Sequence, residues 1–222
     1  LGPALDARSV QRIVTRGALL VGLGLLLNIV ASWQAPLDAR IPGVLQRIGL
    51  TYVIAALTAR TVSARGQWLC VAGLLAVQTA ALRLGGALEP GHNVGVTLDT
   101  LVFGRHLLSL TGDPEGLIGL PTSVVTALLG AAAGRLLQPS PGSHGVTPGA
   151  LRQLAVGSVA AMAAGALLTQ VVPLNKALWT ASFTLVTAGI AGGCLVLCVP
   201  ASARAGRVMR PAYWLGTNPL AI

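Results

Sequence analysis

Residues 41–52 read Ile-Pro-Gly-Val-Leu-Gln-Arg-Ile-Gly-Leu-Thr-Tyr, and this stretch decides the fold. It opens an apolar run long enough to cross a bilayer, yet Gln46 and Arg47 lie about one helical turn into it. A central Arg costs roughly 2.5–3.5 kcal/mol on membrane-insertion scales. Three arrangements offset that cost: snorkelling of Arg47 to the interface, pairing with a carboxylate, or a bound substrate anion. The stretch therefore predicts a membrane helix with a candidate polar site near one end.

The composition of the whole chain indicates an integral membrane protein. Of its 222 residues, 54% are hydrophobic and 9% are charged, and the mean hydropathy is +0.75. A soluble domain carries about 25% charged residues, so water is not the main solvent of this chain. Its apolar runs are about 18–22 residues long and do not alternate, which favours helices over a barrel. We therefore predict an all-α fold, a polytopic helical transmembrane bundle that forms one domain over residues 1–222.

The apolar runs predict six complete spanning helices and the start of a seventh. The predicted spans are 17–33, 41–59, 67–84, 117–137, 151–172 and 178–199, with the seventh beginning near Ala212. Residues 85–116 form the longest loop, and 97–110 within it has enough apolar residues for a short surface helix. We expect the chain to be a fragment truncated at both ends, because it has no starting Met and residues 213–222 resemble half a span.

The net charge of +9 indicates topology rather than nucleic-acid binding, because aromatic residues make up only 4% and the basic residues lie between apolar runs. Alternate loops fall into two sets. One set has ten basic residues and one acidic residue, and the other has five of each. The excess of basic residues predicts that the first set is cytoplasmic. The Leu1 end then lies in the cytoplasm and the 85–116 loop lies outside.

Polar residues in unusual places provide the candidate site. The candidates are Arg47, Gln46, Asp113, Glu115, Asn175, Lys176, His106 and Asn218. All except Asn218 fall at the predicted outer end of the bundle. Most also have a structural interpretation. Asp113 suits a helix N-cap with Pro114 in the first turn, and Lys176 suits an anchor at the membrane interface. Asn218 suits a hydrogen bond between helices. No two histidines have metal-ligand spacing, and no known nucleophile, phosphate or dinucleotide motif is present, so the sequence predicts no metal.

Four stretches occur together, in this order, in one known family. They read Ile-Pro-Gly-Val-Leu-Gln-Arg-Ile at 41–48, Asp-Pro-Glu-Gly-Leu at 113–117, Asn-Lys-Ala-Leu-Trp-Thr-Ala-Ser-Phe at 175–183, and Gly-Thr-Asn-Pro-Leu-Ala-Ile at 216–222. On these stretches the chain resembles the bacterial relatives of heparan-alpha-glucosaminide N-acetyltransferase, a polytopic membrane acyltransferase. The resemblance implies transfer of an acetyl group from cytosolic acetyl-CoA to an amino sugar or glycan on the outer side of a bacterial plasma membrane.

The resemblance also implies what this chain lacks. The family's catalytic His lies upstream of every residue present here, and none of His92, His106 and His144 matches it. We therefore expect two helices before Leu1, further helices after Ile222, and no activity from the fragment alone. Glu115 and Asp113 remain possible catalytic helpers, and the basic 204–210 loop is a possible site for the phosphates of acetyl-CoA.

Two other functions stay open from the residues alone. The polar cluster is also compatible with a transporter or flippase for a glycan or lipid-linked sugar, which binds its cargo without chemistry. It is equally compatible with a non-catalytic membrane scaffold whose polar residues only fix helix packing. The expected partners are the lipid bilayer and a glycan acceptor, with no nucleic acid, and a homodimer is an open alternative for the oligomeric state.

Overall fold

A computed structural model describes residues 6–86, 88–89, 91–109, 111–139 and 145–205, and this part of the chain is helical with no strand. The predicted all-α fold is therefore confirmed. Five predictions fall outside the described residues or their described side chains: His144, Asn218, the basic 204–210 loop, the seventh helix and the 216–222 stretch.

Seven α-helices follow one another in the described residues. They are α1 (Ala7–Ala31), α2 (Val44–Thr61), α3 (Ala64–Leu84), α4 (Val94–Phe103), α5 (Leu120–Leu136), α6 (Pro148–Leu168) and α7 (Ala181–Ala205). Short 3-10 turns at Pro36–Asp38 and Leu117–Gly119 precede α2 and α5. Five helical segments are long and apolar enough to cross a membrane, namely α1, α3, Leu117–Leu136, α6 and most of α7. An integral membrane protein is thus supported by length and composition.

Helix α2 corresponds to the predicted span 41–59 and is not one of those five. Gln46, Arg47 and Arg60 make its eighteen residues less apolar than the other spans. Helix α2 instead packs between α1 and α5. The contact with α1 is close because a Cβ at Gly49 would lie 2.7 Å from the carbonyl oxygen of Gly17. Small residues at this crossing therefore let a helix with polar side chains sit against its neighbours.

Several predicted boundaries are wrong by a few residues for identifiable reasons. Helix α1 begins at Ala7 rather than 17 because the side chain of Asp6 accepts a hydrogen bond from the Ser9 amide, which caps the polar first turn. The loop helix ends at Phe103 rather than 110 because Gly104 has a φ of 58°. Helix α7 begins at Ala181 rather than 178 because the preceding residues form a separate turn.

The predicted N-cap role of Asp113 and the predicted start of the second span at residue 41 are also wrong. Helix α2 begins at Val44 with Gly43 as its N-cap residue, and α5 begins seven residues after Asp113. Asp113 instead closes a turn, in which its Oδ1 accepts from the Glu115 amide at 3.0 Å and its carbonyl oxygen accepts from the Gly116 amide at 2.9 Å. This turn presents both carboxylates of the Asp-Pro-Glu-Gly stretch to the end of the bundle that carries the 85–116 loop, which we call the loop end.

Candidate functional site

An ion-pair cluster at the loop end joins the start of α2 to the turn before α5. Arg40 Nε donates to Asp113 Oδ2 at 2.8 Å, and Arg40 Nη2 donates to Asp113 Oδ1 and, at 2.5 Å, to Glu115 Oε2. The predicted residues Asp113 and Glu115 are thus brought together. Sequence analysis did not identify their partner Arg40, because nothing in the sequence distinguishes Arg40 from the other basic residues in loops.

Both carboxylate oxygens of Asp113 form hydrogen bonds within this cluster. Its side chain has no exposed area, and besides Arg40 it accepts backbone hydrogen bonds from the amides of Leu108 and Glu115. Burial by itself raises the pKa of Asp113, but the Arg40 guanidinium and the two amides outweigh it and lower the pKa below its ordinary value. The carboxylate therefore stays ionised and holds three chain segments together.

Asp99 lies on α4 beside this cluster and is bonded very differently. It is 2% exposed, its Oδ1 accepts from the Leu117 amide at 2.8 Å, and its Oδ2 lies so close to Gly116 that a Cβ there would be 1.9 Å away. No cation lies within ion-pair distance of it among the described residues. Burial raises the pKa of Asp99, and the negative charge of Asp113 raises it further. The hydrogen bond from the Leu117 amide and the charge of Arg47 lower the pKa but do not offset this rise.

A cavity of about 200 Å³ opens between α4, the segment 111–114 and the turn 175–178. Its walls are mainly apolar, with five polar side chains. These are Asn93, Asp99, Thr111, Asp113 and Asn175. We call this space the Asp99 cavity. Asn93 already caps α4 and donates to the Glu89 carbonyl oxygen, and the Thr111 hydroxyl is hydrogen-bonded with that of Ser109. Asp99 and Asn175 are therefore the groups that remain available to a ligand.

The turn 175–180 places one of the two predicted residues there at the cavity and the other away from it. Asn175 Oδ1 accepts from the Leu178 amide at 3.1 Å, while its Nδ2 group donates no hydrogen bond within the described residues. Lys176 is exposed and, in the part of the chain that the structure describes, forms no ion pair or hydrogen bond through its side chain. Asn175 is therefore retained as a candidate binding residue, and Lys176 has no contact that assigns it a role.

Arg47 contacts the turn that carries Asp113 and Glu115. Its Nη1 donates to the carbonyl oxygen of Pro114 at 2.9 Å, and its guanidinium lies 4.8 Å from the ring centre of Trp179. The neighbouring Gln46 donates to the Ile41 carbonyl oxygen at 3.0 Å, which closes the start of α2. Both residues line a second cavity of about 140 Å³, which also touches Glu115 and which we call the Arg47 cavity.

His106 has a positioning role in the structure. Its Nδ1 lies 3.1 Å from the Ala39 carbonyl oxygen, and its own carbonyl oxygen accepts from the Ile41 amide at 2.9 Å. These two bonds flank Arg40 and fix the segment that carries it. His106 does not line either cavity, and His92 is exposed.

The structure thus joins three of the four stretches that carry the family resemblance, and it adds Arg40, Asp99 and Trp179 to the predicted residues. A signal for Asp99 was present, because it is the one charged residue in the apolar stretch 94–103. Within the described ranges no three His, Cys, Asp or Glu residues are grouped for a metal ion. Comparison with protein families and with curated proteins finds no family model and no curated protein that matches this chain.

Proposed function

We propose that this chain holds the acceptor in a membrane acyltransferase, which moves an acetyl group from cytosolic acetyl-CoA to an amino sugar or glycan at the outer side of the membrane. The observation that carries the proposal is the Asp99 cavity, which combines a buried carboxylate that forms no ion pair with any described residue and an Asn175 Nδ2 group that donates no hydrogen bond among them. The resemblance of the sequence stretches supplies the acetyl-CoA part of the proposal.

The cavity has the chemistry that an amino sugar needs. An ammonium group is the natural partner of a buried carboxylate such as that of Asp99, and a sugar hydroxyl accepts the hydrogen bond that Asn175 Nδ2 has left to give. Typical ligand pockets measure about 300–1,000 Å³, so a volume of about 200 Å³ suits one sugar ring at a chain end rather than several rings.

Acetyl transfer to an amine first requires loss of the ammonium proton, because only the free amine has a lone pair for attack. The raised pKa of Asp99 makes it a better proton acceptor than an ordinary carboxylate. The amine nitrogen then attacks the thioester carbonyl and forms the carbon–nitrogen bond, the carbon–sulfur bond breaks, and the leaving CoA thiolate takes the second proton from the nitrogen. Asp113, which is tied to Arg40, serves to position the turn rather than to move protons.

The test uses the complete gene product that contains this chain, in sealed membrane vesicles with labelled acetyl-CoA on the cytoplasmic side and glucosamine on the other. Asp99→Asn should lower acetyl transfer by about a hundredfold, as the loss of a general base does. The matched control is Asp38→Asn, the same chemical change in an exposed ion pair with Arg105. Equal turnover by Asp99→Asn, or glucosamine movement without acetyl-CoA, would reject the proposal.

One observation favours a second candidate, a non-catalytic membrane scaffold. Both carboxylates of the Asp-Pro-Glu-Gly turn are paired with Arg40, so this part of the cluster is complete without a ligand. A scaffold predicts no acetyl transfer and no glucosamine binding by the natural protein or by Asp99→Asn, whereas Asp113→Asn lowers thermal stability. Binding of glucosamine to the purified protein, measured by titration calorimetry, separates the two candidates.

A further inference from the structure

The short helix α4 has an apolar exposed side where a helix in water would carry charges. Its buried residues are Gly95 and Asp99, so the one charged side chain of the helix faces the rest of the protein. At roughly 100° per residue, Leu101 lies on the side opposite to Asp99. Leu101 is 83% exposed, and the next residue, Val102, is 55% exposed. A helix at a water surface usually carries charged and polar residues opposite its buried side, so the second half of α4 does not have the pattern of a helix that faces water.

Two contacts place the first half of α4 at the level where membrane-spanning segments end. A Cβ at Gly85, which terminates α3, would lie 2.4 Å from the Cβ of Val94 at the start of α4. Near the middle of α4, Asp99 Oδ1 accepts from the amide of Leu117, the first residue of the apolar segment Leu117–Leu136. Both α3 and that segment are long and apolar enough to span a membrane. The first half of α4 therefore lies near the membrane boundary at the loop end.

The end of α4 reaches below this level. Phe103, its last residue, lines the Arg47 cavity together with Leu25 of α1 and Leu50 of α2. At 1.5 Å per residue, Leu25 lies roughly 9 Å from the end of α1 at Ala31, and Leu50 lies roughly 9 Å from the start of α2 at Val44. Helix α1 is itself long and apolar enough to span a membrane. The helix α4 is therefore inclined, so that its last turn points toward the interior of the membrane.

Residues suited to the membrane interface lie beside this end of the helix. Gly104 terminates α4 with a φ of 58°, and the exposed side chain of Arg105 then pairs with Asp38 at 2.9 Å. Trp33 follows the end of α1 by two residues and is 75% exposed. Trp is enriched at the headgroup level of membranes, and long basic side chains extend to the same level. The chain therefore returns from the apolar end of α4 to residues that favour lipid headgroups.

We propose that the second half of α4 is embedded in the lipid leaflet at the loop end, where acyl chains cover Leu101 and Val102 and the pair of Arg105 with Asp38 lies among the headgroups. Lipid is favoured over a second protein because the apolar exposed surface of α4 amounts to two side chains, whereas a stable protein interface buries about 800 Å² per partner. Because Asp99 of the same helix lines the Asp99 cavity, this placement brings that cavity to the membrane surface. The assignment does not depend on the proposed acyltransferase function.

The test places single nitroxide labels on the complete gene product, with its natural cysteines replaced by Ala, in lipid nanodiscs that leave both membrane surfaces open to water. The test position is Leu101→Cys. The references are Val77→Cys, on the exposed side of α3, and His92→Cys, in the exposed loop before α4. Electron paramagnetic resonance measures how often each label collides with oxygen, which concentrates in lipid, and with a water-soluble nickel chelate. The Leu101→Cys label should match the Val77→Cys label, with frequent oxygen collisions and few nickel collisions, whereas the His92→Cys label should show the reverse.

Two further labels test the inclination of α4. Thr97→Cys lies one turn before Leu101 on the same exposed side, and its label should collide with nickel more often than the Leu101→Cys label. Val102→Cys should behave like Leu101→Cys, and its label decides if Leu101→Cys does not fold. Three results would overturn the proposal. They are nickel collisions at Leu101→Cys as frequent as at His92→Cys, shielding of that label from both reagents as under a second protein, or equal nickel collisions at Thr97→Cys and Leu101→Cys.

Discussion

Arg47 Nη1 donates a hydrogen bond to the carbonyl oxygen of Pro114 at 2.9 Å, across 67 residues of sequence. This bond joins the polar start of α2 to the turn that carries both candidate carboxylates. It also explains how a helix with an arginine near its end is tolerated beside apolar spans, because the cation meets a carbonyl oxygen and an aromatic face instead of lipid. Of the three arrangements that the sequence left open for Arg47, pairing with a carboxylate is not formed among the described residues.

The first prediction concerns the space that Gly119 leaves for Arg47. Gly119→Ala would place a Cβ 1.9 Å from Arg47 Nη2 and 3.0 Å from Trp179 Cβ, so we expect a loss of about 1–3 kcal/mol in the free energy of unfolding, as for overpacking. Gly130→Ala, within α5 and with no atom inside 4 Å of the new Cβ, should instead stabilise by up to about 1 kcal/mol. Unfolding in detergent, followed by tryptophan fluorescence, compares the two. Equal stabilities would show that Arg47 does not occupy this position.

The second prediction concerns acid. The folded-state pKa of Asp113 is lowered from the ordinary value of 3.8, so its stabilising contribution is present above pH 3.8 and is lost as the pH falls through the lower folded-state pKa. Asp113→Asn should lower stability at neutral pH and reduce the dependence on pH below 3.8. Thermal unfolding measured in a pH series checks this. The control Asp38→Asn breaks only an exposed ion pair and should keep the acid transition of the natural protein.

The third prediction concerns Asp99, whose effect on the pH dependence of stability is opposite to that of Asp113. Its folded-state pKa is raised above 3.8, so burial favours the protonated form, and stability that is present below pH 3.8 is lost as the pH rises through the folded-state pKa. Asp99→Asn keeps an oxygen for the Leu117 amide and removes the charge. At neutral pH this variant should be at least as stable as the natural protein, while its glucosamine binding is lost. Thermal unfolding and calorimetry together test it, and a variant that is less stable yet binds normally would contradict it.

The particular residues show why sequence predicted the fold better than the site. Helices α1, α3, α6 and α7 follow from long apolar runs, because in a bilayer each backbone amide must be satisfied within its own helix. Asp113 and Glu115 were also identified, since two carboxylates around a Pro are conspicuous. Arg40 and Asp99 were not, because their roles depend on which loops meet at the loop end, although Asp99 is conspicuous as the one charged residue of 94–103. A contact such as Arg40 with Asp113 spans 73 residues and leaves no local pattern.

The fourth prediction concerns the support of the turn that carries Asn175 and Trp179. Gln78 lies buried on α3, and its Nε2 donates to the carbonyl oxygens of Leu178 and Trp179, each at 3.1 Å. Thr122 Oγ1 also donates to the Trp179 oxygen at 2.7 Å, so Gln78→Leu leaves only the Leu178 oxygen without a donor.

We therefore expect Gln78→Leu to cost about 1–3 kcal/mol, the penalty for one unsatisfied buried acceptor. Because the turn also forms one wall of the Asp99 cavity, glucosamine binding should weaken in the folded variant. The control Gln153→Leu makes the same change at an exposed position of α6. Unfolding in detergent measures the first effect and calorimetry the second. Unaltered stability would mean that another group donates a hydrogen bond to the Leu178 oxygen. A loss of stability with full glucosamine binding would mean that the turn does not shape the Asp99 cavity.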